Sequence, residues 1–214
     1  MIVTLNNVIP QPIFADDVEV SCIWGKSGVQ FLKGNAYLIV GNSGKGKTTL
    51  LSYLYGLRKD YSGSILIDES DSGKIDLGRW TRLRRNYFSY VFQDLKLFDE
   101  LTVLQNIKLK NNLTGFKSSR EISEMAELLG VEPFLDKKVK RISLGQAQRV
   151  AIIRALCQPY RFILLDEVFS HLDTGNFENA IDLIMKEASA QEAGIIMTDL
   201  NNRYTCQFDK VIQI

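Results

Sequence analysis

Apolar and polar residues alternate over Met1–Val8 and again over Val18–Trp24, the period of half-buried strands. Asn7, Pro10, Pro12 and Asp16 predict turns between them. Ala36–Val40 and Phe162–Leu165 are short, unbroken apolar runs, which predict strands buried on both faces. Ser64–Ile67, Tyr87–Phe92, Gly194–Met197 and Val211–Ile214 also read as strands, with a polar turn over Asp68–Lys74. Helical spacing appears over Thr48–Leu57, Leu101–Leu109, Ser118–Leu129, Gln146–Cys157 and Phe177–Ala190. Ser118 with Glu121 three residues on is a capping-box pattern, and Pro159 marks the end of the fourth helix. Strands near 38, 90, 163 and 196 alternate with helices. That pattern predicts an α/β fold with a mainly parallel sheet covered on both faces. The helix-rich stretch from about Leu95 to Gln158 reads as an insertion into it.

Composition narrows the class. The chain has 214 residues, 45% hydrophobic and 24% charged, as in ordinary folded proteins rather than disordered ones. A net charge of +1 gives no global attraction to nucleic acid, and no nucleic-acid partner is expected. The single histidine, His171, argues against multi-histidine zinc sites. Cys22, Cys157 and Cys206 form no CxxC pair, which fits free thiols in a reducing cytosol. No apolar run approaches the roughly 18 residues a membrane helix needs. Met1–Pro10 lacks the pattern of a secretory signal. Any membrane role therefore needs another chain.

The strongest chemical signal is Gly41-Asn42-Ser43-Gly44-Lys45-Gly46-Lys47-Thr48-Thr49, a GxxxxGK[ST] loop between a strand and a helix. Its glycines let backbone amides turn toward phosphate oxygens, and the helix start adds partial positive charge. Lys47 suits the β- and γ-phosphates, and the Thr48 hydroxyl suits Mg²⁺. With glycine near 7% of residues, a chance match in a chain this long is on the order of one in a hundred. The second signal is Phe162–Glu167, where two acids end a buried strand. Asp166 is placed to hold Mg²⁺ and Glu167 to polarise an attacking water. The third, Ile142–Arg149, opens a helix with serine and glycine, as phosphate-binding helix starts do, although alone it is an ordinary N-cap.

In this order the motifs resemble the ATP-binding cassette ATPases, the nucleotide-hydrolysing subunits of ABC transporters, over nearly the whole chain. Gly41–Thr49 resembles the Walker A loop and Phe162–Glu167 resembles Walker B with its catalytic glutamate. Gln93 resembles the Q-loop glutamine that contacts Mg²⁺ and the attacking water. Ser143, Gly145 and Gln146 resemble the signature, and Ser170–Asp173 the D-loop. Val91–Gln93, Leu101–Val103 and Gln148–Ile152 look most like the group serving lipoprotein release, macrolide export and cell-division complexes. The resemblance implies a P-loop fold with an N-terminal antiparallel β part. It divides one domain, 1–214, into a RecA-like core at 1–94 and 159–214 and a helical subdomain at 95–158. It also implies ATP and Mg²⁺ as cofactors and an ATP-dependent head-to-tail homodimer, or a heterodimer with another cassette. Transmembrane permease subunits would be the partners, at the cytoplasmic face of the membrane, and Asp94–Phe98 lies where the family receives a partner's coupling helix. A soluble cassette acting on DNA or ribosomes, and a regulatory cassette with impaired hydrolysis, are the competing readings.

Departures from the family pattern refine the expectation. Asp199 stands where a histidine usually touches the γ-phosphate, and it implies slow hydrolysis, with Arg203 a nearby cation. Leu144 replaces a signature glycine, and Val168 a common proline. Phe14 is a candidate for stacking on adenine.

Overall fold

The computed structural model describes residues 1–11, 18, 20–170, 172–200 and 208–214. Phe14, His171, Arg203 and Cys206 lie outside the described residues.

Two sheets organise the chain. The first is antiparallel, in the order β2-β1-β4-β5, from β1 (Ile2–Pro10), β2 (Val29–Leu32), β4 (Tyr61–Ile67) and β5 (Ser70–Asp71). The second is parallel, in the order β6-β7-β8-β3-β9, from β3 (Ala36–Val40), β6 (Phe88–Val91), β7 (Phe162–Asp166), β8 (Gly194–Asp199) and β9 (Lys210–Gln213). Helices α1 (Lys47–Leu54), α2 (Leu77–Asn86), α3 (Val103–Thr114), α4 (Ser119–Leu128), α5 (Leu144–Leu156) and α6 (Thr174–Ala190) connect the strands.

The apolar runs that predicted the inner strands are buried along their whole length, and their side chains divide by parity. Leu38, Val40, Val91, Ile163, Leu165, Ile195 and Met197 join one core cluster with α3, α4, α5 and α6. Tyr37, Ile39, Phe88, Tyr90, Phe162, Leu164 and Ile196 join the other, with α1, α2, the antiparallel sheet and both tryptophans, Trp24 and Trp80. The parallel sheet is thus a wall between two cores, as a sheet covered on both faces must be. Three α-helices lie between β6 and β7, and all three carry capping boxes: Thr102 with Gln105, Ser118 with Glu121, and Ser143 with Gln146.

Among the described residues, one predicted strand is absent. Around Val18–Trp24 the Ser21 hydroxyl accepts the amides of Ile23 (3.0 Å) and Trp24 (2.9 Å), a local turn that competes with strand pairing. Left-handed backbone at Gly25 (φ 69°) and Gly28 (φ 71°) then turns the chain into β2, which pairs with β1 instead. The sequence pattern also gave no sign of α2. That helix buries only Trp80 and Leu83, and its other positions include four arginines.

Candidate nucleotide site

Strand β3 delivers the chain into the loop 41–46, and α1 begins at Lys47. Two glycines are required sterically. A Cβ at Gly41 would lie 2.9 Å from the carbonyl oxygen of Ile214. Gly46, at φ 96°, caps α1 in the left-handed conformation, with no side-chain cap. The first-turn amides of α1, which have no intrahelical partner, therefore take none from a capping side chain. The loop is braced from behind by the buried Trp24. Its Nε1 donates to the Lys45 carbonyl (3.2 Å), and a Cβ at Gly46 would stand 3.1 Å from its ring. The sequence pattern did not single out Trp24. Its only signal was a large aromatic in a turn-rich stretch.

Beside the loop is a cleft of about 240 Å³ lined by Ser43, Gly44, Gly46, Lys47, Thr48, Thr49, Gln93 and Glu167. Lys47 is 4% exposed. Its Nζ donates to the carbonyls of Gly41 (2.7 Å) and Asn42 (3.1 Å) and pairs with Glu167 Oε1 at 3.1 Å. Gln93 Nε2 donates to Glu167 Oε2 at 3.3 Å. Glu167 leaves the end of β7 with φ 50°, and its amide meets Thr198 Oγ1 at 3.2 Å. The left-handed turn therefore has a local anchor.

Thr48 Oγ1 donates to Asp166 Oδ1 (3.1 Å) and lies 3.5 Å from Gln93 Oε1. Asp166, 1% exposed, also accepts from Thr198 Oγ1 (2.9 Å) and from the Tyr90 hydroxyl (3.2 Å). Burial pushes the Asp166 carboxyl above the ordinary range, opposed by the hydrogen bonds from Thr198, Thr48 and Tyr90. Burial likewise raises the Tyr90 hydroxyl, with the Asp166 charge adding to it, so it remains a donor. Tyr90 and Thr198 are supports that the sequence reading missed. The register would have found Thr198, because it sits opposite Asp166 across the β7–β8 ladder.

The arrangement does not bring every predicted residue together. Ser143 caps α5, and its amide donates to Gln146 Oε1 at 2.9 Å, so Gln146 is occupied in its own helix turn. Among the described residues, none of Ser143–Gln146 lines the cleft. Gly145 follows Leu144, which is 52% exposed. Asp199 ends β8 beside Val40, and its Oδ1 accepts the amide of Leu200 at 2.8 Å.

Comparison with known proteins agrees with this geometry. The ABC transporter family profile matches residues 26–170. The ABC transporter ATP-binding protein YclH of Bacillus subtilis is 36% identical over 191 residues, covering 87% of this chain and 79% of that protein. The lipoprotein-releasing system ATP-binding protein LolD of Legionella pneumophila is 33% identical over 183 residues, 84% of this chain and 81% of that one. A solved dimeric ATP-binding cassette, MJ0796 bound to ADP and Pi, superposes with a TM-score of 0.81 at 27% identity, covering 99% of this chain and 94% of that one. With Glu167 lining the cleft beside the phosphate loop and Asp166 hydrogen-bonded to Thr48, the chain belongs to the ABC transporter family, as one of its ATP-hydrolysing cassettes.

Proposed function

We propose that this chain binds MgATP at the cleft, pairs head to tail with a second cassette, and transmits the resulting closure to a transmembrane permease. The observation that carries the reading is the meeting of Lys47, Thr48, Gln93, Asp166 and Glu167 within one hydrogen-bonded network. Gly41–Thr49 surrounds the phosphates with backbone amides, and Lys47 exchanges its carbonyl and Glu167 contacts for phosphate oxygens. Thr48, Asp166 and Gln93 present only oxygen atoms to one point, the donor set of a hard divalent cation. Mg²⁺ held there would neutralise charge developing on the transferred phosphoryl group. Glu167, released from Lys47, accepts the proton of the attacking water, and Gln93 orients that water.

Head-to-tail pairing is supported by the signature. Ser143, Gly145 and Gln146 stand at a helix start away from this chain's own cleft, so a second chain is needed to use them. The dimeric state of the MJ0796 cassette supports pairing of two cassettes. Among the described residues no helix is long and apolar enough to cross a membrane. The permease partner and a place at the cytoplasmic face of the membrane belong to this proposal. Residues 95–158 form the helical subdomain on this reading, and 1–94 with 159–214 the core. Lipoprotein or macrolide handling belongs to relatives such as LolD and MacB.

The test is Glu167→Gln, which retains the shape of the side chain and removes the base. With MgATP, light scattering should read a dimer, and without nucleotide a monomer. A monomer at every protein concentration in the presence of MgATP would refute the head-to-tail arrangement.

A further inference from the structure

Helix α5 has Ser143 at one end and, in its last turn, Arg154, a side chain only 8% exposed. The Arg154 guanidinium donates from Nη1 to the Lys96 carbonyl (2.7 Å) and from Nη2 to the Leu95 carbonyl (2.6 Å). Those carbonyls belong to the two residues that follow Gln93-Asp94. Both are held in the left-handed region without being glycine, at φ 59° for Leu95 and 48° for Lys96. Left-handed backbone at a residue with a Cβ is strained, so the loop needs a cause outside itself. The amides of these two residues bond only at short range, Leu95 N–H to Phe92 O (2.9 Å) and Lys96 N–H to Asp94 O (2.6 Å), while the far end of the loop is held separately by Asn106, whose Oδ1 accepts the Phe98 amide at 2.8 Å.

Burial lowers the Arg154 pKa to about 10, and the group still carries its charge at neutral pH. A buried cation satisfied by carbonyls is unfavourable unless its geometry is well defined, and the planar fork supplies that geometry. Leu95 is itself buried in the cluster that α5 helps to form, so the loop is fixed through both side chain and backbone.

We propose that Arg154 is a positioning residue that fastens the Gln93 loop to α5, so that the helix carrying the signature at its other end sets where Gln93 stands over Thr48 and Asp166. From Leu144 to Arg154 the helix spans about 15 Å, at roughly 1.5 Å per residue. Engagement of its N-terminus by a second cassette would thus be felt at this chain's own cleft through one rigid element. The inference rests on the reading that Gln93 works in hydrolysis, and the test separates the two.

Hydrogen exchange is measured on nucleotide-free wild type, Arg154→Met and Arg154→Lys. Amides over 94–98 should exchange about tenfold faster in Arg154→Met and by an intermediate amount in Arg154→Lys, whose ammonium lacks the fork. Peptides from β7 should be unchanged. Wild-type protection over 94–98 in Arg154→Met overturns the proposal. If that variant does not fold, wild-type protection in Arg154→Lys does so. Steady-state kinetics then test the link to chemistry. Arg154→Met should lower kcat about tenfold or more while KM for MgATP stays within about twofold, as misplacement of a positioned group does. In a Gln93→Ala background the same substitution should cost little further, and a full additive loss would show that Arg154 acts elsewhere. If Gln93→Ala alone keeps wild-type kcat, the reading of Gln93 falls, and exchange alone decides whether Arg154 holds the loop.

Discussion

At the scale of single residues, the site depends on where charges are placed. Glu167 and Lys47 are already paired, and Asp166 is surrounded by three hydroxyl donors. Asp199 is the exception, because on the proposed reading it adds an anion near the γ-phosphate of bound ATP. At an effective dielectric near 20, two unit charges about 4 Å apart repel by roughly 4 kcal/mol. Its Oδ1 is turned back onto the Leu200 amide, which softens the conflict without removing the charge. We expect slow hydrolysis in the wild type and a gain of roughly tenfold in Asp199→His, about 1.4 kcal/mol of barrier. Phosphate release at saturating MgATP checks this. A fast wild type, with the histidine variant equal or slower, would make Asp199 a working part of the chemistry.

At the scale of elements, the sequence showed what periodicity and motif spacing can encode. The runs at Ala36–Val40 and Phe162–Leu165, the Ser118–Glu121 box and the phosphate loop all signal locally, and each stands where the pattern put it. What failed was decided by a local turn that periodicity does not register, by sparse apolar residues, or by distant partners. The alternation of Val18–Trp24 lost to the Ser21 turn, and α2 has too few apolar residues to announce itself. Trp24 and Arg154 were illegible because their partners, Lys45 and Leu95–Lys96, are far along the chain. The α4 box also carries a pH signature. The Ser118 amide, then Lys117 and the Ser118 hydroxyl, hold the Glu121 carboxyl down at about 2. A depressed carboxylate stabilises fully above its ordinary value, and that contribution is lost as pH falls toward about 2. Glu121→Gln keeps the cap but removes the charge. Its thermal midpoint should lie below that of wild type at pH 6, and the gap should close near pH 2. A gap independent of pH would show that the charge contributes nothing.

At the scale of the whole molecule, nucleotide binding and folding are linked. A ligand at a hundred times its Kd stabilises the native state by about 2.7 kcal/mol. For a chain of this length that corresponds to a rise in thermal midpoint of roughly 5–10 °C. Lys47→Ala removes the loop's buried cation and should abolish MgATP binding, and with it the shift. An undiminished shift in this variant would remove Lys47 from the phosphate site. The parallel sheet gives that experiment a spectroscopic asymmetry. Both tryptophans of the chain lie in the core shared with α1 and the antiparallel sheet, and neither lies among α3, α4, α5 and α6. Indole emission therefore observes one side of the wall and is blind to loosening on the other. Trp24, in contact with the phosphate loop, is also a built-in optical probe of nucleotide occupancy that needs no label.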